Sequence, residues 1–310
     1  MKAIYICSTG HSGSTLLDMI LGSHPQIGSL GEVVMLPMDM DLHTKCTCDA
    51  DINTCDVWSK VISTLSSQYG VDFRLKPELL DLGFVGSSFR KASYMKFGYV
   101  YRGRALRLTR SFLLRHFSVF SELVFSMNAK QIDKTVKVYE AFAKVANKDV
   151  VVDSSKVYLR AIELYRKMEA GLKTIFLVRD GRAVTASYMR HGFSLQASVD
   201  VWLNHNSRSL PLLHKYINEK DFMVLRYEDL ITNPERELKR ICQLVGIEYQ
   251  EVMLDFTSTL HHNVSGNNIR FLKSSKLVLD EKWRKVLSSE QLAYFENRAG
   301  SMNRQFGYAE

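Results

Sequence analysis

The chain has 310 residues, 46% apolar and 24% charged, which is enough to bury a sizeable core and excludes the disordered class. Its 41 Lys and Arg outnumber 33 Asp and Glu, a formal charge of +8, so anionic partners are favoured: nucleotides, nucleic acid, sulfated products or anionic lipid. No linker of Pro, Gly and Ser, internal repeat or bilayer-length apolar run appears, which argues against repeat arrays and membrane spans. The expected organisation is one domain over 1–310 with a helical insertion or cap at about 56–147. Met1-Lys2 runs straight into an apolar strand with no leader pattern, so a cytoplasmic chain with reduced thiols is expected.

The segment KAIYIC reads as a short buried strand broken by STGHSGS. Leu16, Leu17, Ile20 and Leu21 then recur at helical spacing. Strand, glycine loop and helix open a βαβ sheet. DVVVD (149–153) predicts a second strand, valine-rich as a doubly covered parallel strand should be, with a helix over 155–169. KTIFLV (173–178) and DFMVLR (221–226) predict two more strands. A helix starts near Asn233-Pro234 and ends before Gly246. Strands alternating with helices predict an α/β fold: a P-loop-like parallel sheet with helices on both faces. The insertion reads as several helices over the sheet's C-terminal edge.

Two stretches carry anion chemistry. In STGHSGSTLL, Gly10 and Gly13 permit a tight turn, while Ser14 and Thr15 open a helix whose free N–H groups favour phosphate. The alternative is a plain glycine-rich turn. A Walker A loop needs Lys where Ser14 stands, so an ATP- or GTP-hydrolysing reading is weakened. After the third strand, Arg179 offers a bidentate fork, and Ser187 lies eight residues on. Taken alone, Arg179 could simply pair with Asp180.

With these residues the chain resembles the sulfotransferase superfamily, whose 5'-phosphosulfate loop reads basic-Ser-Gly-(Ser/Thr)-Thr. HSGST at 11–15 matches, with His11 replacing the usual Lys or Arg. The Arg179–Ser187 spacing matches that family's 3'-phosphate motif. The resemblance implies a sulfotransferase fold and 3'-phosphoadenosine-5'-phosphosulfate (PAPS) as donor. It implies an acceptor hydroxyl on carbohydrate, lipid, small molecule or Tyr, with no metal required. Glu32 lies 21 residues after His11, similar to the Gly-Glu base of tyrosylprotein sulfotransferases, and is the implied general base. Lys156 in DSSK, with His11, is the implied cation at the leaving 5'-phosphate. Ser12, Gly13, Ser14 and Thr15 would cradle that phosphate. LRYEDL resembles a segment near the adenosine, giving Tyr227, and SGNNIR gives Ser265 and Arg270 as 3'-phosphate contacts. The rival readings are a nucleotide or nucleoside kinase and a basic nucleic-acid-binding protein. No nucleic acid is expected as partner.

Two further segments stay open. Cys46, Cys48 and Cys55 cluster in a loop, but C-x-C is not the usual zinc spacing, and His43 is the nearest fourth ligand. A redox-sensitive loop or plain packing are alternatives, and no metal site is assigned. From Phe89 to Phe117 there are eight Lys/Arg and no acid, interleaved with Tyr94, Phe97, Tyr99 and Tyr101. This stretch reads as a substrate lid, a membrane-surface contact, a nucleic-acid-binding stripe or a solvated helix face.

Overall fold

The computed structural model of the protein describes residues 1–83, 97–271 and 274–308. Five parallel strands build one sheet: β1 (Lys2–Ser8), β2 (Ile27–Gly31), β3 (Val150–Lys156), β4 (Leu172–Val178) and β5 (Phe222–Arg226). Their order is β2-β3-β1-β4-β5, so β1 lies centrally, where the chain first departs to one side and later to the other. Open α/β sheets bind ligands at such a switch point, outside the carboxyl ends of the strands.

Helix α1 (Ser14–Gly22) follows β1. Between β2 and β3 come α2 (Leu36–Asp41), α3 (Trp58–Tyr69), α4 (Phe97–His116), α5 (Ser121–Ser126) and α6 (Ala129–Ala146). Helix α7 (Tyr158–Met168) joins β3 to β4, and α8 (Gly181–Arg190) with α9 (Leu195–Tyr216) joins β4 to β5. After β5 come α10 (Tyr227–Thr232), α11 (Pro234–Val245), α12 (Trp283–Val286), α13 (Ser289–Phe295) and α14 (Ser301–Gln305). Helix α11 starts on Pro234 and stops at Gly246, whose φ of 75° is the left-handed cap predicted from the sequence.

Side chains alternate across the sheet. Ala3, Tyr5 and Cys7 join one core with Val151, Phe176, Tyr139 and Phe142, while Ile4 and Ile6 join another with Leu17, Ile20, Leu238 and Ile241. A strand buried on both faces must be apolar at every position, which is why KAIYIC and VVV read as continuous runs.

Three expectations change. Strand β2 was not foreseen: Gly28, Ser29 and Gly31 are poor strand formers, yet they pair with Val151, Val152 and Asp153 of β3. Strand β3 runs on to Lys156, so α7 begins at Tyr158 rather than at 155. Helix α6 does not cap the sheet edge. It lies on a face, with Phe142 packed so tightly over Gly28 that a Cβ there would stand 2.7 Å from the ring.

Part of the basic 89–117 stretch, including Tyr94, lies outside the described residues. Of its cations, Arg110 is buried and ion-paired with Glu163. Phe112, Phe117 and Phe120 are exposed nearby. No helix among the described residues is long and apolar enough to cross a membrane.

Candidate active site at the carboxyl ends of the strands

Each of the five strands delivers a sequence-predicted residue at its carboxyl end. The loop after β1 carries Gly10 to Thr15, Glu32 follows β2, Lys156 ends β3, Arg179 follows β4 and Tyr227 follows β5. A cleft of about 750 Å³ is lined by Gly10, His11, Gly13, Ser14, Thr15, Glu32, Lys156, Arg179, Ser187, Arg190 and Tyr227. Lys276, Asp280 and Lys282 of the later chain form its other wall. Ser12 is buried within the loop rather than lining the cleft.

The loop is shaped by two left-handed residues. Gly13 has φ 92°, and a Cβ there would stand 2.4 Å from the Tyr227 ring, so only glycine fits. His11 has φ 63°, a region histidine tolerates better than bulkier residues. Gly13 is the N-cap of α1 and offers no side-chain cap, which leaves the helix's first N–H groups for an anion.

The His11 ring lies 4.6 Å from Tyr188, edge-on, and 4.6 Å from His191. Burial, followed by the positive charges of His191, Lys156, Arg179 and Arg190, lowers its pKa to about 4. In the unliganded protein the ring is neutral at physiological pH and offers a hydrogen bond.

Arg179 is not taken up by Asp180, which instead binds Arg182 and caps α8. Its Nη1 donates to His11 O at 3.2 Å, its Nη2 to Asp280 O at 3.2 Å, and its guanidinium lies 4.5 Å over the Tyr227 ring. Its buried Nε has no partner among the described residues. Ser187 is buried one face of α8 away, with Arg190 Nη2 3.5 Å from its hydroxyl.

Glu32 and Lys156 form an ion pair inside the cleft, each about one-fifth exposed. Lys156 has φ 71°, a strained backbone for a residue with a side chain, held by its surroundings. Asp153 Oδ1 accepts from Ser155 N at 2.8 Å, and the Tyr5 hydroxyl both accepts from and donates to the Val157 backbone at 3.1 Å. Ser155 Oγ accepts from Val34 N at 3.2 Å, tying this turn to the segment after Glu32. The Glu32 amide donates to Val264 O at 2.9 Å.

A family model described as "Sulfotransferase family" matches residues 110–251, a span that contains Lys156, Arg179, Ser187 and Tyr227. The sulfotransferase domain from the Synechococcus PCC 7002 olefin synthase covers 100% of this chain and 95% of its own, with TM-score 0.52 at 20% identity. The sulfotransferase domain from the curacin biosynthetic pathway gives TM-score 0.52 at 16% identity, covering 96% of each. The chain thus has the fold of these sulfotransferase domains, and under half of it matches the sulfotransferase family model. Among curated relatives it is 24% identical over 177 residues to protein-tyrosine sulfotransferase A of Caenorhabditis elegans, covering 53% of this chain. It spans 45% of that relative's length.

Two superfamily-derived expectations do not meet the cleft. Ser265 donates to Asp39 Oδ2 at 2.6 Å, and Arg270 is buried, donating to Ser265 O at 2.7 Å and Lys45 O at 3.0 Å. Both brace the 263–270 loop from behind, and Gly266, Asn267 and Ile269 face the cleft instead. Sequence reasoning missed Arg190, although it sits one helical turn from Ser187. It also missed Lys276 and Lys282, which no local pattern marks.

Proposed function

We propose that this protein is a sulfotransferase that moves a sulfuryl group from PAPS to an acceptor hydroxyl. The observation that carries the reading is the convergence of two anion-binding elements on one cleft. The uncapped start of α1 suits the 5'-phosphosulfate, and Arg179 with Ser187 and Arg190 suits the 3'-phosphate. Tyr227, under Arg179, would fix that guanidinium against the donor.

In this reading Glu32 takes the acceptor proton and Lys156 holds the developing charge on the leaving phosphate. Their ion pair fits both roles, since the same contact holds the carboxylate and ammonium at the reacting centre before substrate arrives. Gly10 and Lys156 also line a second cleft of about 710 Å³ with Tyr158, Phe193, Asn204 and Arg208, which suits the acceptor. The relative's name makes a tyrosine hydroxyl the first acceptor to try. The exposed Phe112 and Phe117 within the basic 89–117 stretch, with Phe120 just after it, support an anionic lipid surface as a further partner. Co-sedimentation with anionic but not neutral vesicles tests it, and equal pelleting with neither ends it.

Donor identity is tested by thermal shift. Adenosine 3',5'-bisphosphate should raise Tm far more than AMP or ATP, through linkage to the folded state. Arg179→Ala should erase most of the difference between the bisphosphate and AMP. Equal shifts from AMP and the bisphosphate in the unmutated protein would reject PAPS as donor.

A further inference from the structure

Cys46, Cys48, Cys55 and His262 bring four ligand atoms within 4.8 Å of one another, apart from any role in the sulfuryl-transfer cleft. Cys55 Sγ lies 3.6 Å from Cys48 Sγ, 3.7 Å from Cys46 Sγ and 3.2 Å from His262 Nδ1. Ligands around a tetrahedral zinc, at about 2.3 Å for sulfur and about 2.1 Å for nitrogen, stand about 3.8 Å apart for a sulfur pair and about 3.6 Å for sulfur and nitrogen. The observed separations approach those edges. They are too long for a disulfide, which needs about 2.05 Å.

The backbone is folded to aim these groups. Lys45 and Asp51 form an antiparallel bridge, Cys46 N donates to Ala50 O at 2.8 Å, and Asp49 N returns to Cys46 O at 2.9 Å. Asp49, at φ 67°, makes the tight reversal that puts Cys46 and Cys48 on one side. Cys55 N donates to Asp51 O at 2.7 Å just before α3, and Trp58 Nε1 donates to His262 O at 2.5 Å, fixing the histidine's backbone. His43, the sequence candidate for fourth ligand, is exposed and pairs with Asp51 at 2.9 Å instead.

We propose that Cys46, Cys48, Cys55 and His262 form a structural zinc site. Three thiolates and one imidazole are a closed, soft donor set that leaves no open position, so the ion holds structure and performs no catalysis. Three thiols release their protons to solvent on binding, and the net charge of −1 is met by Arg270, whose Nη2 reaches Lys45 O beside Cys46. The site joins the loop before α3 to a segment 207 residues later. Two residues beyond His262, Val264 accepts the Glu32 amide at 2.9 Å and donates to Leu30 O at 2.9 Å. Asn263 donates to Asp18 Oδ2 at 2.6 Å beneath α1. The ion would thus pin the strand-like segment that fixes Glu32.

The test uses the full chain, purified without a polyhistidine tag and without chelators. Elemental analysis should find about one zinc per chain, retained through gel filtration and released by an organomercurial together with thiol titration. Cobalt substitution should give the visible bands of a tetrahedral thiolate complex. Cys55→Ser and His262→Ala should weaken zinc binding more than about tenfold, while His43→Ala leaves it unchanged. Because Cys55→Ser could fail to fold, Cys48→Ser, at the half-buried rim, serves as the second variant. Metal-free protein with all five cysteines titratable and a Tm indifferent to added zinc would overturn the site. A mass two hydrogens lighter with two thiols missing would overturn it in favour of a disulfide. A His43→Ala variant that loses the metal would overturn the ligand assignment.

Discussion

Glu32 is the residue on which the proposed chemistry turns, because it faces the cleft with Lys156 as its ionic partner among the described residues. Glu32→Gln keeps the shape but cannot take a proton, so turnover should fall about 10²–10⁴-fold with binding of adenosine 3',5'-bisphosphate retained. Undiminished turnover would move the base elsewhere. His11 enters differently. Its folded pKa, near 4, lies below the unfolded value of about 6.5, so the unfolded chain takes up the proton first as pH falls. Stability is therefore fully present above about pH 6.5 and is lost on going down towards pH 4. His11→Gln should shallow the acid limb of Tm against pH in that window. Because the ring of the free protein starts so far below neutrality, kcat/KM should show no limb owed to His11 between about pH 7 and 9. Lys156→Ala should then lose more activity than His11→Gln. Asp18 tilts stability the other way. Burial raises it to about 7, with Asn263 and Ser154 donating to its Oδ2 and with Oδ1 left without a partner among the described residues. A raised carboxyl holds its proton in the folded state, so stability is present in acid and falls as pH rises from about 4 to 7. Asp18→Asn should remove that decline, read as Tm at several pH values. A steeper decline in the variant would contradict the buried-carboxyl account.

At the scale of elements, the site depends on two close approaches. Gly13 lets the phosphate loop lie against Tyr227 at the start of α10, so Gly13→Ala meets both a φ of 92° and a ring carbon 2.4 Å away. The loop must shift, and calorimetric affinity for the bisphosphate should fall at least tenfold, equivalent to about 1.4 kcal/mol. Unchanged affinity would mean the loop does not hold the donor. Gly28 lets β2 lie under Phe142 of α6, and Gly28→Val should cost about 1–3 kcal/mol by overpacking. This explains why so weak a strand sequence forms a strand at all. The β2 segment IGSLG is small because a helix crosses it closely, and its pairing with β3 supplies the order its own propensity lacks. The missed strand also places Glu32 directly after an ordered strand.

At the scale of the whole molecule, the cleft closes with residues from the last part of the chain, since Lys276, Asp280 and Lys282 face the loop after β1. Bound adenosine 3',5'-bisphosphate should therefore slow tryptic cleavage after Lys276 and Lys282, with AMP protecting less. Cleavage indifferent to ligand would separate that wall from the donor site. What the sequence determined alone was local chemistry: the glycine loop at a helix start, the valine strand, the Pro234 and Gly246 stops, and Arg179 eight residues before Ser187. Each depends on residues within one element or one turn, where backbone geometry fixes which atoms meet. The tertiary structure decided what lies across the sheet. It turned Ser265 and Arg270 away from the cleft, set Glu32 against Lys156 from 124 residues away, and replaced His43 by His262 beside the cysteines. Those meetings follow from strand order and from the packing of α1, α6 and α11 on the two faces, and periodicity within a segment carries no record of which segment will lie beside it.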